Sequence, residues 1–145
     1  MIRKRAIATV CMPGTLADKL GAAAEAGYQG VEILENDLTC FDGRPEDVRG
    51  LAGSLGLEIV ALQRFRDFKG LPEPARSKAS ERARRKFELM GRLGTPLLLV
   101  CSSILPEAID DMSRVAADLH ELGEFAREFA CGSASRRSPG AVTST

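Results

Sequence analysis

The chain has 145 residues, enough for one domain with its own core. Its 20 basic and 20 acidic side chains cancel, which removes the charge argument for a nucleic-acid partner. No apolar run approaches the roughly 20 residues of a membrane helix, so no membrane partner is expected either.

In chain order, "RAIATVC" (5–11) reads as a first strand, broken by "PGT". "TLADKLGAAAEAG" (15–27) predicts a helix, with Thr15 as N-cap, Asp18 at the capping-box position and Gly27 as terminator. "GVEIL" (30–34) predicts a second strand. "RPEDVRGLAGSLG" (44–56) predicts a second helix, with Pro45 early and acids in its first turn. "LEIVALQ" (57–63) predicts a third strand, followed by the longer loop "RFRDFKGLPEP". "ARSKASERARRKFELMGRLG" (75–94) predicts a long helix with much of one face charged. "PLLLVCSS" (96–103) is a continuous apolar run, the pattern of a strand buried on both faces. A fourth helix starts within 107–112 and ends near Glu128. Repeated strand–helix units imply an α/β fold with parallel strands. They fit an open doubly wound sheet, or about four βα units of a (β/α)8 TIM-type barrel, whose full circuit takes about 250 residues.

Cys11, Cys40, Cys101 and Cys131 lie far apart without a C-x-x-C pair, so free thiols in a cytoplasmic protein are expected. The basic start at Met1–Arg5 precedes only a short apolar run, which predicts no signal peptide. No G-x-G-x-x-G or P-loop supports a nucleotide site, and His120 is the single histidine, placed mid-helix.

In both architectures ligands meet the carboxyl ends of the strands. The strand period puts Glu32, Leu34 and Asn36 on one face, opposite Val31 and Ile33. Glu32 reads as a structural partner of a neighbouring arginine or as part of a site; Glu35 reads as a solvated loop residue. Arg66, framed by Phe65 and Phe68, can grip a carboxylate or phosphate through two parallel hydrogen bonds, or form a surface charge patch with Asp67. Ser102 and Ser103 suit a turn cap as well as a ligand contact.

"VCMPGT", "AGYQGVE", "ENDL" and "RFRDFKGLPEP" resemble the bacterial 3-dehydroshikimate dehydratases of the xylose-isomerase-like TIM-barrel superfamily, over about residues 5–128. The resemblance implies a lyase that dehydrates 3-dehydroshikimate to protocatechuate with a divalent metal of Mg or Mn type. It implies that Arg66 holds the carboxylate of the ring substrate, Gln63 lines the pocket, and Glu32 and Asn36 shape its floor. The family's metal-binding acids and catalytic histidine come from strands five to eight. This sequence is therefore expected to hold the N-terminal half-barrel in 1–128, with no metal bound and no catalytic residue of its own.

Residues 129–145, with "GSASRRSPG", have no apolar period and are expected to be a disordered tail. Under one permitted codon choice, the same nucleotides read two bases later encode a segment resembling the family's fifth strand, so a frameshift product is expected. Two other classes stay open: a sugar phosphate isomerase or epimerase of the same superfamily, and a non-enzymatic half-barrel that self-associates through open sheet edges.

Overall fold

The computed structural model describes residues 3–135. Strands β1 (Ala6–Ala8), β2 (Gly30–Leu34), β3 (Glu58–Phe65) and β4 (Leu98–Val100) form one sheet in chain order, every neighbouring pair parallel. Helices α1 (Leu16–Glu25), α3 (Pro45–Ser54), α4 (Ala75–Leu93) and α5 (Met112–Ser135) follow the successive strands. The short helix α2 (Glu35–Thr39) follows β2 directly. The architecture is a partial barrel of four βα units, as the alternation of patterns predicts.

The sheet buries one face under the helices. Val31, Ile33, Ile59, Leu62 and Phe65 pack in one core with Leu20 of α1, Val48 of α3 and Ala83 and Phe87 of α4. In β2 the pleat sends Glu32 and Leu34 to the other, inner face, and an extra residue in β3 at the register shift between Val31 and Glu32 brings their neighbours Ala61 and Gln63 to the same face. Gly30 marks a close approach at the foot of the sheet. A Cβ there would lie 2.8 Å from Val60 Cγ1 and 3.2 Å from Ala6 Cβ.

Local signals set the helix ends. Thr15 Oγ1 accepts the Asp18 N–H at 3.2 Å while Asp18 Oδ2 accepts the Thr15 N–H at 3.0 Å, so both arms of the capping box form. The Thr15 hydroxyl and amide hold the Asp18 carboxyl below the usual carboxylate range. Gly94 ends α4 in the left-handed region at φ 71°. Lys19 of α1 and Asp37 of α2, both largely buried, pair at 2.9 Å and fix the added helix.

Four sequence expectations need correction. The first strand stops at Ala8, and Thr9–Cys11 turn in a 3-10 helix. Thr9 is buried there because its Oγ1 accepts the Leu34 N–H at 3.0 Å, capping the end of β2. β2 ends at Leu34, so Asn36 belongs to α2 and does not share a strand face with Glu32. The run 96–103 is not buried on both faces: Leu97, just before β4, is 61% and Leu99 within it 46% exposed, since the inner face has no covering layer at this edge among the described residues. The fourth helix does not end near Glu128, because α5 runs on and Phe129 stacks on Phe87 with ring centroids 5.6 Å apart. The rest of the expected tail, residues 136–145, lies outside the described residues. Among the described residues, no helix is long and apolar enough to cross a membrane.

Gly30→Ala is expected to lower stability by about 1–3 kcal/mol in urea unfolding, the usual cost of overpacking. Asp18 has a depressed folded pKa, so its contribution is present above the unfolded value near about 4 and lost as pH falls through the folded one. The melting temperature of Asp18→Asn is therefore expected to lie below that of the parent at pH 7 and to converge with it in acid.

Candidate functional site

The loop joining β3 to α4 carries Arg66, and its neighbours pin it in place. Asp67 adopts φ 54°, a left-handed conformation that aspartate tolerates better than most residues. Its Oδ1 accepts the Ile104 N–H at 2.7 Å. Arg82 of α4 reaches back to donate to the carbonyls of Arg66, at 3.0 Å, and Asp67. Gly70, at φ 70°, donates its N–H to Asp118 Oδ2 at 2.7 Å and accepts the Ile109 N–H at 2.6 Å. A Cβ at Gly70 would stand 2.7 Å from the Ile109 carbonyl oxygen.

Asp118, only 1% exposed in α5, also lies 3.3 Å from Arg76 and 3.5 Å from Arg114. Arg114 in turn donates to the Leu71 carbonyl at 3.2 Å. The Ser103 hydroxyl ties the β4–α5 connection to the loop by donating to the Lys69 carbonyl. Loop, β4–α5 connection and α5 thus form one hydrogen-bonded unit beneath Arg66.

A cavity of about 460 Å³ opens at the carboxyl ends of β2 and β3. Asn36 and Arg66 both line it, together with Glu35, Arg64 and the α4 residues Arg82, Arg85 and Lys86. Glu35 is not a free loop residue, because it is ion-paired with Lys86. Burial pushes the Lys86 ammonium below the ordinary lysine range. The Arg66–Asp67 charge patch does not form, since Asp67 is engaged by Ile104. Among the described residues the Arg66 guanidinium has no carboxylate within ion-pair distance. The sequence contained a signal for the α4 contribution, since Arg82, Lys86 and Leu89 share one helical stripe, but that face read only as charged.

Glu32 and Gln63 do not line this cavity; they lie on the inner sheet face, Gln63 opposite Leu34 and Glu32 opposite Ala61. Gln63 is 7% exposed, and its Nε2 has no hydrogen-bond partner among the described residues. A buried amide without a partner costs free energy, which a ligand acceptor would recover. Glu32 is half-buried, with no arginine within ion-pair distance among the described residues. Among the described residues, no cluster of three or more His, Cys, Asp or Glu is placed to hold a metal, so these residues do not fit the divalent ion that the resemblance implies. His120 lies exposed on α5.

Strand order and a polar site at the strands' carboxyl ends define a barrel-type α/β protein. Residues 20–130 match the xylose isomerase-like TIM barrel family, and the chain belongs to that family. It is 51% identical over 123 residues to a 3-dehydroshikimate dehydratase of Pseudomonas aeruginosa, and 48% identical over the same length to one of Pseudomonas putida. Each match covers 85% of this chain and 19% of the relative, so the chain spans about a fifth of the curated relatives' length. A solved xylose isomerase-like TIM barrel/4-hydroxyphenylpyruvate dioxygenase fusion protein superposes with a TM-score of 0.84 at 47% identity, over 87% of this chain and 20% of that one.

Asp118→Ala is expected to destabilise the chain by about 1–3 kcal/mol, because it orphans the buried Gly70 amide and removes a carboxylate shared by Arg76 and Arg114. Hydrogen exchange should locate the loss: Gly70 amide protection should fall more than that of β2.

Proposed function

We propose that this chain supplies the carboxylate-gripping part of a 3-dehydroshikimate dehydratase, a lyase that dehydrates a carboxylated ring to protocatechuate. The observation that carries this reading is Arg66. Its guanidinium lines the cavity without a carboxylate partner among the described residues, on a loop fixed by Asp67, Arg82 and Asp118. The identities of 51% and 48% to two dehydratases support the same substrate class.

In this reading Arg66 takes the ring carboxylate through two parallel hydrogen bonds and so fixes the ring's orientation. A ring gripped by Arg66 at its carboxylate extends past the cavity onto the inner sheet face, where the buried, unpartnered Gln63 Nε2 donates to a ring oxygen. Asn36 lines the carboxylate end, and Glu32 shapes the floor on the inner sheet face. The pre-set loop supplies orientation before the substrate arrives, so little ordering remains on binding. The three described cysteines are free thiols, which agrees with a cytoplasmic enzyme.

Dehydration also needs a base for the proton next to the ketone and a group to stabilise the enolate oxygen. General acid–base catalysis is typically worth about 10²–10⁴-fold by itself. His120 is exposed on α5, away from the strands' carboxyl ends, so the described residues position the substrate but do not carry its chemistry.

The 145-residue chain alone is therefore expected to give no enzymic turnover of 3-dehydroshikimate. A chimera in which residues 5–128 replace the matching segment of the Pseudomonas aeruginosa relative should form protocatechuate. Arg66→Ala in that chimera should lower kcat/KM by about 10–100-fold, the loss of a charge-assisted pair. A folded chimera that prefers a phosphorylated sugar, or that is indifferent to Arg66→Ala, would refute the assignment.

A further inference from the structure

The cavity holds more positive charge than one carboxylate can use. Among the described residues five cations line it, Arg64, Arg66, Arg82, Arg85 and Lys86, against one acid, Glu35. Two of the five are already committed. Arg82 donates to the loop carbonyls and lies 5.4 Å from the Phe65 ring centroid. Lys86 is paired with Glu35 and lies 6.0 Å from the same ring. Arg64, Arg66 and Arg85 remain, and among the described residues none has a carboxylate within ion-pair distance.

These three guanidiniums come from two separately anchored elements: the end of β3 with its loop, and the middle of α4. Like charges gathered around one space repel, and a bound anion relieves that repulsion as well as forming hydrogen bonds. A monocarboxylate fills one guanidinium fork. A phosphate dianion offers three acceptor oxygens and two charges, which matches three forks far better. A volume of about 460 Å³ also leaves room for a small organic group beyond the phosphate.

We propose that Arg64, Arg66 and Arg85 form a binding site for a phosphate dianion, free or carried on a small molecule. The dianion bridges the β3 end to α4 across the cavity floor at Phe65. The site shares Arg66 with the carboxylate contact above, but does not depend on which reaction a complete protein performs. A chimera active on 3-dehydroshikimate beside a chain that binds no phosphate would overturn this inference alone; phosphate binding beside an inactive chimera would leave it standing.

The test is calorimetric titration of the 145-residue chain at fixed ionic strength with inorganic phosphate, a hexose 6-phosphate and benzoate. The expected result is one saturable phosphate site with a dissociation constant below about 1 mM, at least about tenfold tighter than benzoate. Tighter binding of the hexose phosphate than of inorganic phosphate identifies the carried form; equal binding identifies free phosphate as sufficient. Arg85→Ala should weaken phosphate about tenfold. Arg84→Ala, whose guanidinium lies over Phe125 at 5.2 Å and outside this cavity, should leave it unchanged. Arg85→Lys, which keeps charge but loses the fork, should fall between them, with circular dichroism verifying that each variant is folded. Benzoate binding as tight as phosphate, or equal losses from Arg84→Ala and Arg85→Ala, would overturn the proposal.

Discussion

A parallel sheet with helices along it must hide one face completely, and that constraint orders the rest of this chain. Val31 and Ile33 in β2, with Ile59 and Leu62 in β3, are nearly inaccessible beneath α1, α3 and α4. Once they are buried, the two-residue period leaves Glu32 and Leu34 no choice of face, and the register shift between Val31 and Glu32 sets Ala61 and Gln63 beside them. A one-residue slip would reverse every one of them, exposing isoleucines and burying a carboxylate. The polar character of the inner face is therefore a consequence of core packing, established before any ligand is considered.

The same packing explains why the loop after β3 can hold a guanidinium in readiness. Phe65 is buried at the strand's end and Phe68 beside it, with ring centroids 5.5 Å apart. Between these two anchors the chain has room for only Arg66 and Asp67, and the left-handed turn at Asp67 sends its carboxylate to Ile104. Buried Asp118 then holds Gly70 from the far side. Arginine loses much rotameric freedom on binding, but its backbone here has little left to lose. Positioning by a stiff loop and cavity formation by α4 are thus two effects of the same tertiary contacts.

What the dehydratase and phosphate readings share is an unneutralised guanidinium set at the strands' carboxyl ends. They differ in how much charge the ligand brings, and Arg85 separates them because it belongs to α4 and not to the loop. The Glu35–Lys86 pair matters for the same reason. By spending on the half-buried lysine the one carboxylate that lines it among the described residues, the cavity leaves its arginines uncompensated.

The sequence by itself determined the four βα units, the capping box at Thr15 and Asp18, the helix terminator at Gly27, and the family motif around Arg66. All depend on periods and short-range chemistry that neighbouring residues carry. It misjudged elements whose identity rests on distant partners. Thr9 leaves the first strand because its hydroxyl is needed by Leu34, 25 residues away. Glu35–Thr39 becomes a helix where Lys19 can reach Asp37, and the charge of Glu35 is met by Lys86 on α4. Leu97 and Leu99 look like core residues because apolarity records what a residue can bury, not which layer stands over it. Only the tertiary structure decided that Asn36 joins Arg66 in one cavity while Glu32 and Gln63 face elsewhere, because strand ends and helix starts are set by long-range hydrogen bonds that no local pattern encodes.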